Sequence, residues 1–283
     1  MRVPITLVAL LSSASLLAQA PKPVANRLAV QNALFEEYYE NELRSFPEAA
    51  TAYGDYRYND RLNDYSLAAI KRRDETNRAF LERIEAISSA GFSDQDQLSH
   101  DLLIWVLKQR IAEFDLKEYE MPINTQTGVH THLADLPLAV PLDSVQHYEN
   151  YISRLRQIPL ALGQLTEVLR AGMQDKLMPV RFIAEKIPGQ CEGVIAADPF
   201  LRPTKNYPAG ISPEDQKRLT KAITDAVNID VLPAYKKFAE FVRTEYAPLG
   251  RTTLAITSLT DFAFFGNRGK DSNIALQQGQ CQR

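Results

Sequence analysis

Apolar residues recur at helical spacing along nearly the whole chain, and the alternation typical of strands is almost absent. Glycine is scarce, with 12 residues against 16 prolines, which is typical of long helices punctuated by proline rather than of a many-turned β sandwich. The sequence therefore predicts an all-α fold, an irregular multi-helix array with long ordered loops and a disordered C-terminal tail. The first predicted helix, residues 26–44, has an apolar face formed by Leu28, Leu34, Phe35, Tyr38, Tyr39 and Leu43.

Serine caps and prolines predict where helices begin. A serine oxygen can accept a hydrogen bond from a first-turn N–H, and proline is tolerated in that turn because its missing N–H has no helical partner there. The predicted caps are Ser45 (paired with Glu48 in a capping box), Ser66, Ser93 and Ser212. Further helix starts are predicted after Pro159 and Pro179, and the helix that begins at Pro213 is expected to kink at Pro233 on its way to Tyr246.

Residues 119–141 have no helical period, and we interpret them as a long ordered loop of the kind that often carries function. The loop contains the one metal-like cluster of the sequence, His130 and His132 with Asp135. Two histidines and a carboxylate can bind zinc, but an i, i+2 spacing on a loop fixes no common face, and a catalytic zinc needs three convergent ligands. The sequence thus predicts no catalytic, metal or cofactor-binding residue, and these three remain as candidates only.

Motifs for other chemistry are absent from the sequence. No His-Glu-x-x-His, Gly-x-Ser-x-Gly, Gly-x-Gly-x-x-Gly or Gly-x-x-x-x-Gly-Lys string occurs. Lys and Arg total 32 against 35 Asp and Glu, giving a net charge of −3 that argues against a general nucleic-acid binder. Peptides or a partner protein are the expected partners.

The N-terminus reads as an export signal over residues 1–20. Arg2 precedes an apolar stretch, and Ala18-Gln19-Ala20 offers small residues where a signal peptidase reads them, although Pro21 disfavours cleavage directly after Ala20. No later segment is apolar enough to span a bilayer. We therefore expect an exported protein, periplasmic or secreted, in which the pairing of Cys191 with Cys281 stays open.

Several stretches, in their order and spacing, resemble an exported bacterial family called domain of unknown function 885. They are residues 46–54 (FPEAATAYG), 58–66 (YNDRLNDYS), 128–130 (GVH) with 136–137 (LP), 148–151 (YENY) through Arg154-Leu155, and 232–235 (LPAY) with Phe241 and Glu245-Tyr246. Members of that family look like zinc metallopeptidases of the His-Glu-x-x-His kind, with an all-helical body and an export signal. Their metal-binding helix lies in the second half of a longer chain, so zinc is expected for the full-length members.

The resemblance covers only the N-terminal half of such a protein, and no catalytic or metal residue carries over. It implies a domain over residues 21–260, followed by a divergent tail over residues 261–283. The first hypothesis is an exported, metallopeptidase-like protein truncated before its metal-binding half and inactive alone. The second is a free-standing periplasmic helical module for binding or assembly. The third is an enzyme with an unrecognised site around His130, His132 and Asp135.

Overall fold

The fold is all-α, as predicted. The computed structural model describes residues 23–254, in which the one strand-type pairing is an isolated bridge between Val180 and Arg251. The predicted signal at residues 1–20, the domain limits at 20/21 and 260/261, and the tail at 261–283 lie outside the described residues. Within them, no helix has the length and hydropathy needed to cross a membrane. The helices are α1 (Val24–Ser45), α2 (Pro47–Ala52), α3 (Leu67–Glu85), α4 (Asp94–Asp115), α5 (Val129–His132), α6 (Leu136–Ala139), α7 (Val145–Gln174), α8 (Arg181–Ala184), α9 (Ile187–Ala197), α10 (Pro213–Ala226) and α11 (Leu232–Phe241).

Three of the four predicted serine caps are confirmed. Ser66, Ser93 and Ser212 each accept a hydrogen bond from the backbone N–H three residues later, at 3.1–3.2 Å. The fourth prediction is wrong, because Ser45 is the last residue of α1 and Phe46 precedes α2 without any side-chain cap. The Glu48 side chain is engaged in tertiary contacts instead of a capping box.

A helix start at Pro159 is also a wrong prediction, since α7 runs unbroken through this residue. Proline inside a helix costs about 3 kcal/mol because it removes one backbone hydrogen bond and crowds the preceding turn. Fully burying a leucine or isoleucine side chain returns about 1.5–3 kcal/mol, and α7 buries twelve of its residues. Burial along this central helix therefore outweighs the proline.

The helices form two apolar cores. The larger one surrounds α7 and draws on α9, α10 and α11, while the smaller lies between α1, α3 and α4. Residues 46–65 bridge the two and lie on α7 through polar contacts. Gln157 of α7 donates to the Asp60 carbonyl at 2.8 Å and accepts from the Leu62 N–H at 3.1 Å, and the Tyr65 N–H donates to Gln164 at 3.0 Å.

One segment is more helical than the sequence predicts. Residues 119–141 hold α5, α6 and the 3₁₀ turns Glu118–Glu120 and Leu133–Asp135, single turns that are too short to show a period. Ahead of Pro233, where the sequence predicts a kink, the structure has a π-helical turn, Val227–Val231, immediately before α11. A second π turn, Val242–Tyr246, follows α11.

Candidate functional site

The two loop histidines, His130 and His132, form hydrogen bonds with different side chains. His130 is fully buried, and its Nε2 lies 2.9 Å from Oε1 of Gln190 on α9. The Gln190 amide nitrogen donates to the Thr125 carbonyl at 2.9 Å, so its oxygen accepts and His130 Nε2 carries the proton. Burial lowers the pKa of His130, against the opposing hydrogen bond to Gln190. His130 is thus a neutral core imidazole.

Backbone contacts also fix the place of His130. Its carbonyl accepts a hydrogen bond from the buried Tyr235 hydroxyl at 2.7 Å. A Cβ at Gly128 would come within 2.8 Å of the His130 ring, so this position requires glycine. The sequence GVH at 128–130 therefore serves the packing of the loop onto α9 and α11.

His132 is an exposed imidazole held by a buried carboxylate. Its side chain is 58% exposed, and its Nε2 lies 3.0 Å from Oε2 of Glu48, whose side chain is 7% exposed. The hydrogen bond to Glu48 raises the pKa of His132, while burial opposes it and the nearby charge of Asp135 adds to it. One face of the ring thus reaches solvent while the other is oriented by Glu48.

Glu48 is surrounded by donors. Besides His132, it accepts from the Asn63 N–H at 2.9 Å and from the Tyr65 hydroxyl at 2.8 and 3.0 Å. Burial would raise the pKa of Glu48, but the hydrogen bonds from His132, Asn63 and Tyr65 outweigh it and the pKa is lowered. Burial and the Glu48 charge together raise the pKa of Tyr65. The carboxylate therefore stays ionised inside the protein.

A buried arginine lies beside this network. Arg154 of α7 is 1% exposed, and its Nη2 donates to Thr51 Oγ1 at 2.6 Å and to the Pro47 carbonyl at 3.2 Å. Burial lowers the pKa of Arg154 to about 10, although the carboxylates of Glu48 and Asp60 oppose this. Within residues 23–254 it forms no ion pair closer than 4 Å. Arg154 thus fastens α2 to α7 by hydrogen bonds rather than by a direct salt bridge.

An imidazole oriented by a carboxylate is the arrangement of a general base. His132, Glu48 and Tyr65 could pass a proton, since each is hydrogen-bonded to the next. The described residues near His132 offer no serine or cysteine nucleophile paired with it. The arrangement is therefore a proton-holding network, and its clearest consequence is the docking of α2 onto the loop.

The predicted metal-like cluster does not converge. Among the described residues there is no group of three or more His, Cys, Asp or Glu side chains placed to hold a metal ion. His130 points to Gln190 and His132 to Glu48, while Asp135 is exposed and influences His132 only through its charge. Cys191 is a buried thiol whose pKa burial raises to about 12. Its pairing with Cys281 stays open, because Cys281 lies outside the described residues.

Sequence reasoning missed Glu48, Tyr65 and Arg154. Glu48 was assigned to a cap, and nothing in helical periodicity distinguishes a buried arginine on α7 from an exposed one. The available signal was the stretches 46–54 and 58–66, which contain Glu48, Asn63 and Tyr65 and which carry the resemblance to the family.

Comparison with known proteins agrees with the fold. A candidate lipoprotein from Colwellia psychrerythraea has a crystal structure that superposes with a TM-score of 0.76 at 13% identity. The match covers 87% of this chain and 45% of that chain, so the present protein spans less than half of its length. No curated protein matches. The model of a family described as "Bacterial protein of unknown function (DUF885)" matches residues 47–272, and the chain belongs to this family.

Proposed function

We propose that the chain is the helical, non-catalytic part of an exported, metallopeptidase-like protein and that it does not hydrolyse peptides by itself. In this role it contributes a folded wall for a peptide or a partner protein. In such a protein the zinc chemistry would reside in a metal-binding half that carries the His-Glu-x-x-His motif. The present sequence has no such string.

The observation that carries the proposal is the separate engagement of the two loop histidines. A zinc ligand needs a free imidazole nitrogen directed at the ion and a second partner that fixes the ring. His130 is buried with its Nε2 bound to Gln190, and His132 has its Nε2 bound to Glu48. Such partners can also fix the ring of a metal ligand, and Nδ1 of His130 is buried without a hydrogen-bond partner. The proposal is supported because the two rings are held by different elements, and no group of three or more His, Cys, Asp or Glu side chains within residues 23–254 is placed to hold an ion.

Two further findings support the proposal. The structural match covers most of this chain but 45% of the Colwellia psychrerythraea protein, which is consistent with one part of a larger family architecture. That protein is described as a candidate lipoprotein, and lipoproteins are exported, which agrees with the signal-like residues 1–20.

The test is metal analysis of the purified chain after dialysis, together with hydrolysis of a mixed peptide library with and without zinc. We expect sub-stoichiometric zinc and no zinc-dependent hydrolysis. The double variant His130→Ala, His132→Ala is compared with His147→Ala, a histidine that binds Asp143 away from the loop. Near-stoichiometric zinc that is lost in the double variant and retained in His147→Ala would contradict the proposal.

A second candidate function, an assembly module, is favoured by one face of α4. Leu98, Leu102 and Trp105 are 55–61% exposed, and their spacing of four and three residues places them on one stripe. The occupant we propose is the same face of a second copy. In an antiparallel pair whose two-fold axis passes between residues 101 and 102, Leu98 lies opposite the second copy's Trp105. The acidic first turn of α4 then lies near the second copy's Lys108, which within its own chain pairs with Glu85 at 2.7 Å.

Sedimentation velocity over a concentration series tests this assembly. We expect the chain to dimerise, the variant Trp105→Glu to be monomeric, and the control Leu160→Glu, an equally exposed position on α7, to dimerise like the unmodified chain. A monodisperse monomer at all concentrations, or equal dimerisation of both variants, would contradict it.

A further inference from the structure

A groove at the junction of α1 and α3 concentrates arginine side chains. Its volume is about 370 Å³, and it is lined by the last turn of α1, the loop around residues 61–64 and the first turns of α3. The arginines in its wall are Arg44, Arg61, Arg72 and Arg73. We name it the arginine groove. In a chain with a net charge of −3, four guanidinium groups around one groove are an exception to the overall charge.

The carboxylates nearby do not neutralise these four arginines. Asp64 is the one acidic residue in the wall, and its Oδ1 is occupied by the Ser66 N–H and by Gln164, each at 3.0 Å. Its Oδ2 meets Arg72 at 3.2 Å. Asp60 pairs with Arg61 at 3.6 Å. The charge of Glu42 also acts on Arg73. Three carboxylates, Asp60, Asp64 and Glu42, therefore lie near four positive charges.

The remaining two arginines, Arg44 and Arg73, have guanidinium N–H donors that no carboxylate of the described residues accepts. Arg44 is exposed and, among the described residues, has neither a hydrogen bond nor an ion pair from its guanidinium. Arg73 is half-buried, donates to the Asp64 carbonyl at 2.9 Å, and lies over the Phe46 ring at 5.2 Å, but no carboxylate of residues 23–254 pairs with it. A guanidinium has five N–H donors in a planar fork, so most of these donors remain available.

Neutral donors complete the groove. Asn41 and Ser45 line the same wall, and neither side chain has a hydrogen bond to another described residue. Arginine forks match the geometry of oxyanions, to which they donate two parallel hydrogen bonds. The groove thus combines excess positive charge with unpaired donors, and neither His130 nor His132 lines it.

We propose that the arginine groove binds a small oxyanion, a phosphate monoester or a carboxylate, through Arg44, Arg72 and Arg73. The bonds are charge-assisted hydrogen bonds from the guanidinium groups to the anion's oxygens. Asn41 and Ser45 supply additional donors at the rim. The site does not depend on the proposed function, because it shares no residue with the loop histidines.

Isothermal titration of the full chain at low ionic strength tests the site, with inorganic phosphate and acetate as separate probes. We expect saturable binding of one anion per chain. Because each guanidinium donates charge-assisted hydrogen bonds to the anion, the double variant Arg44→Gln, Arg72→Gln is expected to bind at least about 10-fold more weakly. Tighter phosphate binding identifies a phosphate monoester as the ligand class, and tighter acetate binding identifies a carboxylate.

The matched control is Arg156→Gln, because Arg156 is an exposed arginine of α7 outside the groove and has no partner among the described residues. It is expected to bind like the unmodified chain. Thermal unfolding checks that each variant is folded. Both substituted side chains of the double variant are exposed, so we expect it to fold like the unmodified chain. Absence of saturable binding for both probes, or equal binding by the double variant and the control, would overturn the proposal.

Discussion

The two apolar cores of this molecule differ in how much buried apolar surface stabilises them. The core around α7 contains thirty-two buried apolar residues, whereas the one between α1, α3 and α4 contains six. Surface ion pairs link elements in both regions, such as Arg83 with Glu37 in the smaller and Arg170 with Glu245 in the larger. Because exposed pairs contribute little and burial contributes most, the smaller region is expected to open first. The same region carries the exposed stripe of α4 and most of the arginine groove.

The largest effect is expected from cavities in the two cores. Leu155 and Leu107 are both fully buried, one in each core, and Leu→Ala at such positions costs about 3–5 kcal/mol. Native-state hydrogen exchange of each variant separates the regions: Leu107→Ala lowers protection in α1, α3 and α4 alone, and Leu155→Ala lowers it everywhere. Leu160→Ala, at an exposed position of α7 outside the α4 stripe, is the control. Uniform loss in Leu107→Ala would mean that both regions unfold as one unit.

A smaller effect tests the contact between the regions. A Cβ on Gly172 of α7 would lie 2.5 Å from the Glu120 carbonyl, whereas one on Gly163 of the same helix meets nothing within 4 Å. Gly172→Ala is expected to destabilise by about 1–3 kcal/mol through overpacking, and Gly163→Ala to stabilise by about 0.5–1 kcal/mol through helix propensity. Urea unfolding of both variants measures the difference. Equal free energies of unfolding would contradict the close approach of residue 120 to α7.

The loop histidines are expected to titrate on opposite sides of 6.5, since the pKa of His130 is lowered and that of His132 is raised. Stabilisation from His132 is fully present below its unfolded pKa and is lost as pH rises through its raised folded pKa. His130 acts oppositely, because the unfolded chain takes up its proton first and stability falls as pH drops below 6.5. Glu48, with a lowered pKa, stabilises above about 4.5, and this contribution is lost as pH falls through its folded value.

Proton NMR of the imidazole ring signals measures both midpoints, with His130→Gln and His132→Gln for assignment. Glu48→Gln removes the charge beside His132 and is expected to lower the His132 midpoint while leaving that of His130 in place. A His130 midpoint above that of His132 would contradict the two environments described for them.

The smallest effect is expected at the surface of the smaller region. Arg83→Gln breaks the ion pair with Glu37. Because the Arg83 side chain is 50% exposed and that of Glu37 54% exposed, the free energy of unfolding should fall by less than about 1 kcal/mol. Unfolding at low and high salt measures it, and the difference should shrink as salt rises. A larger, salt-independent loss would show that this pair supports the small core more than its exposure indicates.

Helical periodicity and serine caps were sufficient to predict the fold class and most helix starts, because these signals are local. Pro159 misled the prediction because burial on both sides of it is a tertiary effect. Glu48 misled it for a similar reason, since a glutamate three residues after a serine fits a cap whether or not another segment competes for it. The pairing of His132 with Glu48 joins residues 84 positions apart, which no spacing rule reaches.

The π turn before α11 explains a repeat of buried residues that a regular α-helix would not keep on one face. Every fourth residue from 219 to 239 is buried, and in an α-helix each step of four over-rotates by about 40°. Five such steps would carry the buried stripe to the opposite side of the helix. The wider turn at Val227–Val231 takes up part of that rotation and keeps the stripe facing α7. An apolar repeat of four sustained over several turns is therefore itself a sequence mark of a helix that must widen. The buried residues of this repeat are Leu219, Ile223, Val227, Val231, Tyr235 and Ala239.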